Sequence, residues 1–266
     1  MIADPRGPID YDETGEGPTI VLVPGSCSTG AAWRPVIAQL RDRFRCVTTS
    51  LLGYGGSAER RSRHDADIAH EAEIVEAVIR HSGGPVHLVG HSFGGLSALA
   101  VAMRDPRLLL SLTILEAPAA EVLRETGEDR LYGEFRAMTA AYVGSYAAGQ
   151  AHAIERMIDF YGGAGTFQGW PQRVRDYAVA TTPANLLDWT CAFGFALTPS
   201  LLANVTTPTL VAWGDNSHPA ARRANQLLGQ HMPMAAVAEI SGAAHFMIAT
   251  HPKQVADLIA RHIHSR

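Results

Sequence analysis

The stretch "VGHSFGG" (residues 89–95) decides the fold, because it places a serine between an apolar run and a helical pattern. The apolar run covers residues 86–89, and the helical pattern is "FGGLSALAVAMRDP". Gly90 and Gly94 flank Ser92 two residues away on either side, in the order G-x-S-x-G. Such a tight turn from strand to helix strains the serine backbone and needs small residues at both flanking positions. The sequence therefore predicts that the Ser92 hydroxyl stands at the tip of a strand.

Strand-like and helix-like segments alternate on both sides of this turn. Short apolar runs typical of buried strands lie at residues 19–25, 45–51, 85–92, 111–118, 208–215 and 235–242. Helical patterns lie between them, at residues 31–42, 65–81, 93–104, 220–230 and 252–262. The alternation predicts the α/β class, with a mostly parallel, twisted sheet and helices on both faces. In such a sheet the chemistry collects at the carboxyl ends of the strands.

One long segment interrupts the alternation. Residues 119–202 contain no convincing strand but several helical stretches. We therefore expect a helical cap inserted into a core made of residues 1–118 and 203–266, and lying across the face that carries the site. The cap is rich in aromatic residues, which more often pack a cap onto its core than contact a substrate; they are Tyr142, Phe160, Trp170, Trp189 and Phe193.

Composition limits the partners and the compartment that this chain can have. It has 266 residues, 47% of them hydrophobic, and a formal net charge of −4. That charge gives no basic field for nucleic acid or an anionic membrane. The apolar stretches fall short of the roughly 20 residues of a membrane span, and "MIADPRGPID" lacks the apolar segment of a signal peptide. We expect a cytoplasmic protein without nucleic-acid or membrane partners, and the oligomeric state stays open, including a homodimer.

The three cysteines indicate neither a disulfide framework nor a zinc site. Cys27, Cys46 and Cys191 are an odd number and show no CxxC or Cys/His spacing. The simplest interpretation is three reduced thiols in or near the core.

A serine hydroxyl becomes a good nucleophile only when a base removes its proton, so a histidine must reach Ser92. The chain has 12 histidines. His245, in "ISGAAHFMIATHP", lies after the last strand-like run and before the last helix, at the same predicted sheet edge as Ser92. Strand alternation points His91 away from its neighbour Ser92. His245 is therefore the predicted base.

These motifs together resemble the α/β-hydrolase family, and specifically its capped members. The resemblance runs from "IDYDETGEGPTIVLVPG" through "GHSFGG" and "DPRLLLSLTILEAP" to "GAAHFMIATHPKQVADLI". It implies a small-molecule substrate, no cofactor, and an oxyanion hole made by the backbone amides of Ser26 and Phe93. The loop that holds Ser26 commonly begins with His-Gly in this family. Here it is Pro24-Gly25, which keeps the glycine and removes no main-chain donor.

The carboxylate that would orient His245 has two candidates. In many family members it lies three residues after the glycine that ends "TLVAWG", and that position here is Ser217, which carries no charge. Asp215 lies two residues earlier, at the wrong offset for an extended turn. Glu116, in "TILEAPAAE", ends the strand beside that of Ser92, where a charge is costly unless paired or functional. Glu116 is favoured, and Asp215 stays open.

The predicted function is that of a serine hydrolase acting on an ester-like carbonyl through an acyl-enzyme, with Ser92, His245 and Glu116. Because the nucleophile is a serine, the resemblance points away from the epoxide hydrolases and haloalkane dehalogenases, which use aspartate. It points towards esterases, lactonases, C–C bond hydrolases and perhydrolases. Two alternatives remain, which are a lyase of the hydroxynitrile lyase type and a non-catalytic relative that binds a small ligand.

Overall fold

A seven-stranded sheet organises the protein in the computed structural model, which describes residues 1–265. In chain order the strands are β1 (Asp12–Thr14), β2 (Thr19–Val23), β3 (Arg45–Thr48), β4 (Val86–His91), β5 (Leu109–Leu115), β6 (Thr209–Gly214) and β7 (Ala235–Ile240). Their spatial order is β1-β3-β2-β4-β5-β6-β7. The pairs from β3 to β7 are parallel, and β1 pairs antiparallel with β3 at the edge. The prediction of a mostly parallel α/β sheet is confirmed.

Helices connect the strands in the predicted places. They are α1 (Arg34–Leu40), α2 (Ile68–His81), α3 (Phe93–Arg104), α4 (Ala120–Glu125), α5 (Asp129–Ala147), α6 (Glu155–Gly162), α7 (Thr166–Gly169), α8 (Gln172–Ala180), α9 (Thr182–Gly194), α10 (Pro199–Leu202), α11 (Pro219–His231), α12 (Met247–Thr250) and α13 (Pro252–His264). The helix predicted over 31–42 is split into a 3₁₀ turn, Gly30–Trp33, and α1. Pro35 lies in the first turn of α1, where its missing N–H costs no hydrogen bond.

Two apolar layers bury the sheet. On one face, α1 and α13 pack against each other and against β2, with Leu40 and Ile259 fully buried. On the other face, α2, α3 and α11 contribute to the larger core, with Leu96 and Leu228 fully buried. Strands covered on both faces need apolar side chains on both faces, which is why these strands read as continuous apolar runs.

The chain between β5 and β6 is a helical insertion, with α5–α9 as its main part. Phe135 in α5 lies at its centre, with ring centroids 5.3 Å from Phe160, 6.3 Å from Tyr161 and 6.1 Å from Trp189. Tyr142 is also buried in this core. Aromatic contacts of this kind join α5, α6 and α9 into one packed body.

The turn between β4 and α3 depends on the absence of side chains at two glycines. Ser92 has a φ of 54°, in a region that residues with a Cβ rarely adopt. A Cβ added to Gly90 would lie 2.2 Å from the carbonyl oxygen of Gly94. A Cβ added to Gly94 would lie 2.3 Å from the carbonyl oxygen of Pro24, in the loop after β2. Both positions therefore require glycine, and the close approach at Gly94 packs that loop against the turn.

We expect Gly90→Ala to lower the free energy of unfolding by about 1–3 kcal/mol, because its methyl group must push backbone atoms apart. Gly144→Ala is the matched control, since Gly144 lies within α5 and an added Cβ there meets nothing within 4 Å. This control should stabilise the protein by about 0.5–1 kcal/mol, because alanine favours a helix over glycine. Urea unfolding measures both changes. Equal effects of the two substitutions would contradict the steric account.

Candidate active site

Three predicted residues meet at the carboxyl edge of the sheet in one chain of hydrogen bonds. The Nε2 atom of His245 lies 3.0 Å from the Ser92 Oγ, and its Nδ1 lies 2.8 Å from the Glu116 Oε1. With the Nδ1–H donating to the carboxylate, Nε2 is free to accept the hydrogen of the serine hydroxyl. His245 and Glu116 are both buried. An arrangement of this kind can serve as a nucleophile, a base and an orienting acid.

Main-chain hydrogen bonds between strand ends hold two of these residues in place. The amide of Ser92 donates to the carbonyl of Leu115, 2.9 Å away at the end of β5. The amide of Glu116 donates in turn to the carbonyl of Ala212 in β6, at 2.8 Å. The order β4-β5-β6 therefore brings Ser92 and Glu116 to neighbouring strand tips.

The carboxylate of Glu116 accepts further hydrogen bonds through its second oxygen. The amide of Gly214 donates to Oε2 at 3.2 Å, and the hydroxyl of Ser217 donates to the same atom. Ser217 occupies the position where the family resemblance placed a carboxylate. Its hydroxyl is here a hydrogen-bond donor to the Glu116 carboxyl group, which takes the place of that carboxylate beside His245.

Asp215 lies outside this chain of hydrogen bonds. Its Oδ1 accepts from the amide of Gly242 at 2.8 Å, and Arg222 donates to its carbonyl oxygen at 3.0 Å. These contacts link the turn after β6 to the loop that follows β7 and leads to His245. The structure brings Glu116 to His245 and gives Asp215 a place in the turn.

His91 lies closer to the site than strand alternation indicated. Its Nε2–H donates to the carbonyl oxygen of His245 at 2.8 Å, and the two rings are 5.0 Å apart. Burial, with a smaller contribution from His245, lowers the pKa of His91 to about 3. A neutral His91 therefore positions the backbone of His245. The only sequence feature that could have placed His91 near the site is its position at the end of β4, directly before Ser92.

The loop after β2 lies directly against the nucleophile. A Cβ added to Gly25 would come within 2.8 Å of the Ser92 Cβ, so only glycine allows this approach. Within residues 1–265, the backbone amides of Ser26 and Phe93 have no hydrogen-bond acceptor. The Ser26 side chain is anchored separately, since its Oγ donates to the Asp188 Oδ2 at 2.5 Å.

Asp188 belongs to a buried charge cluster that sequence reasoning missed. Arg61 NH1 lies 2.7 Å from the Asp188 Oδ1 and 3.0 Å from the Glu71 Oε1, and the hydroxyl of Tyr54 donates to the Asp188 Oδ2 at 2.6 Å. Burial raises the pKa of Glu71 to about 7 although Arg61 lowers it, and burial also raises the pKa of Asp188. The cluster joins α9 of the insertion to α2 and to the loop after β2. Arg61 and Asp188 are 127 residues apart, so no local pattern announces the pair.

A cavity of about 440 Å³ opens beside Ser92 and His245. The loop after β2, the turn at Ser92, the His245 loop and the helical insertion all contribute to its walls. Trp170 and Trp189 line it, and the ring of Tyr161 stacks on His245 with centroids 4.0 Å apart. The volume suits a small organic molecule held mainly by apolar contacts.

The similarity of this chain to known proteins shows the family to which it belongs. The model of the alpha/beta hydrolase family matches residues 20–258. The chain belongs to the α/β-hydrolase family. The predicted family membership is therefore confirmed, and the relatives of the chain include esterases.

Within residues 1–265 no helix is long and apolar enough to cross a bilayer, and no group of metal-ligating side chains is assembled.

Individual relatives differ in how much of this α/β-hydrolase they match. Haloalkane dehalogenase 2 from Mycobacterium bovis is 38% identical over 37% of this chain, but the match spans only 34% of the relative's length. A pimeloyl-[acyl-carrier protein] methyl ester esterase from Aeromonas salmonicida is 24% identical, over 94% of this chain and 97% of its own. A thermophilic esterase from Thermogutta terrifontis has the same fold, with a TM-score of 0.75, 22% identity and coverage of 97% and 93%.

Arg61→Met should destabilise the protein by about 3–5 kcal/mol, because it leaves two buried carboxylates without their cation. Arg107→Met is the control, since Arg107 pairs with Asp105 at the surface with its side chain 88% exposed. That exposed pair should contribute little. Thermal and urea unfolding measure the difference. If both variants lost the same small amount of free energy of unfolding, the buried cluster would not contribute the stability assigned to it.

Proposed function

We propose that this hydrolase cleaves an ester-like carbonyl substrate through an acyl-enzyme on Ser92. The observation that carries the proposal is the position of His245, with one ring nitrogen 3.0 Å from the Ser92 Oγ and the other 2.8 Å from the Glu116 carboxylate. A binding protein without catalytic activity would need neither contact. Esters and lactones small enough for the cavity beside Ser92 are the proposed substrates.

In the first half of the reaction, the Ser92 Oγ attacks the carbonyl carbon as His245 Nε2 takes the hydroxyl proton. The negative charge of Glu116 stabilises the imidazolium that forms. The carbonyl oxygen becomes an oxyanion and accepts hydrogen bonds from the amides of Ser26 and Phe93. Removing one such donor typically lowers the rate by about 10²–10³-fold. The loop after β2 therefore contributes to catalysis in this proposal, although it does so through a backbone amide and not through a side chain.

The tetrahedral intermediate then collapses and the bond to the alcohol oxygen breaks. His245 returns its proton to that oxygen, which leaves an ester of Ser92. In the second half, water attacks this ester while His245 accepts its proton; the bond to the Ser92 Oγ then breaks, and His245 returns the proton to that oxygen as the acid leaves. The buried surroundings of Glu116 favour these steps, since electrostatic stabilisation is stronger where water is excluded.

The relatives support an ester substrate over a haloalkane. The methyl ester esterase matches nearly the whole chain, whereas the dehalogenase matches about a third of it. The proposed nucleophile is also a serine, and its alkoxide attacks a carbonyl carbon readily. Ester cleavage is thus the reaction that uses every group assembled at this site.

Glu116→Gln should lower kcat for a p-nitrophenyl ester by about 10⁴-fold, because the amide keeps the shape but loses the charge that stabilises the imidazolium. Asp215→Asn is the matched control, and it should have a much smaller effect because Asp215 contacts the Gly242 amide and not His245. Steady-state kinetics with both purified variants gives the comparison. The reverse ranking would transfer the role of the acid to Asp215.

Rapid mixing with an activated ester tests the acyl-enzyme itself. We expect a burst of p-nitrophenol equal to the enzyme concentration, followed by a slower steady rate, as an accumulating acyl-enzyme requires. Ser92→Ala should abolish both phases. Turnover that survives in Ser92→Ala would overturn the proposal, and so would cleavage of a cyanohydrin without activity on esters, which would favour a lyase.

A further inference from the structure

Two polar groups in the cavity have no hydrogen-bond partner within residues 1–265. They are the side-chain oxygen of Asn185 in α9 and the hydroxyl of Tyr161 in α6. Both residues line the cavity, and they are only 2% and 3% exposed. Buried polar groups are nearly always hydrogen-bonded, and leaving one unpaired costs free energy. Two such groups in one cavity point to a ligand that pairs with them.

Several other polar groups of the cavity are already engaged. Asp188, one turn after Asn185 on α9, accepts hydrogen bonds from Ser26, Tyr54 and Arg61. The hydroxyl of Ser28 donates to the carbonyl of Gly25 at 2.8 Å. The amide of Asn185 differs from these groups, because neither of its side-chain atoms bonds to the described protein. Exchanging its oxygen and nitrogen would not change this conclusion.

Tyr161 lies beside the proposed base. Its ring lies 4.0 Å from that of His245, and its centroid is 6.5 Å from that of Trp189, one turn after Asn185. Burial and the charge of Glu116 raise the pKa of Tyr161 well above its ordinary value. The hydroxyl therefore keeps its proton and can act as a donor.

The charges around the cavity exclude an anionic partner for these groups. The Asp188 carboxyl lies on its wall, the Glu116 carboxyl is buried next to it against His245, and the guanidinium of Arg61 is engaged by Glu71 and Asp188. An anion entering here would meet carboxyl groups and, among the described residues that line the cavity, no lysine or arginine. The group that fits is neutral and offers both a donor and an acceptor.

We propose that Asn185 and Tyr161 recognise a secondary amide in the substrate, at a distance from the bond that is cleaved. The amide N–H would donate to the Asn185 side-chain oxygen, and its carbonyl would accept from the Tyr161 hydroxyl or the Asn185 nitrogen. The inference rests on the proposed ester hydrolysis and narrows its substrates to amide-bearing esters or lactones. Apolar side chains of the cavity wall, such as those of Trp170 and Trp189, would cover the rest of the substrate.

Pairs of p-nitrophenyl esters test this inference. In each pair, one acyl chain carries a secondary amide and the other has methylene groups in its place, and the amide is moved along the chain from pair to pair. The wild-type protein should prefer the amide at one position by about tenfold or more in kcat/KM, which corresponds to one or two well-placed hydrogen bonds. The readout is the ratio within a pair, so a partly folded preparation lowers both rates equally.

Two variants and one control assign the preference to the named groups. Asn185→Leu and Tyr161→Phe should each reduce the ratio by about fivefold to tenfold, while Tyr161→Phe keeps its ring against His245. Asn204→Leu, at an exposed position outside the cavity, should leave the ratio unchanged. A wild-type protein without preference at any amide position would overturn the inference, as would a preference that survives in both variants. If the protein hydrolyses neither the amide esters nor the methylene esters, the proposed ester hydrolysis itself is overturned. If it hydrolyses the methylene esters with a burst but shows no preference for the amide, only the amide inference is overturned.

Discussion

The buried hydrogen bond between Glu116 and His245 is the interaction on which the rest of the site depends. A carboxylate at the tip of an apolar strand is costly unless it is paired, and Glu116 is paired on both oxygens. The parallel order β4-β5-β6 provides this pairing, because Ser92, Glu116 and Ser217 follow three adjacent strands. His245 arrives from beyond β7 and is held between them. The geometry of the site is thus a consequence of strand order together with one buried carboxyl group.

The helical insertion has two physical roles around this centre. It closes the cavity with aromatic side chains, among them Tyr161 over His245. Through Asp188 it also holds the Ser26 side chain, in the loop whose glycine touches Ser92. A substitution in α9 can therefore disturb both the substrate pocket and the loop beside the nucleophile. Arg61 and Glu71 extend this connection to the larger core, so the insertion is bound to the sheet layer by charge as well as by apolar packing.

Features with a local pattern could be predicted from the sequence. Strands buried on both faces appear in the sequence as short apolar runs. The tight turn after β4 is indicated by the spacing of Gly90, Ser92 and Gly94, because only small residues allow it. The choice between Glu116 and Asp215 depended on which way side chains point after two strands end, which no periodicity specifies. Asp188 and Arg61 meet across 127 residues, and such pairs exist only in the folded chain. Asn185 gave no signal, because an unpaired amide is a property of its surroundings.

Chemical modification of Ser92 tests the central claim most directly. A fluorophosphonate reacts with a serine only when a base activates it, and mass spectrometry of peptides locates the label. The account predicts one phosphonate per chain, on Ser92, formed rapidly in the wild-type protein and slower by orders of magnitude in Glu116→Gln. Labelling at another residue would contradict it. So would equal rates in the two proteins, because Ser92 would then be activated without the buried carboxylate.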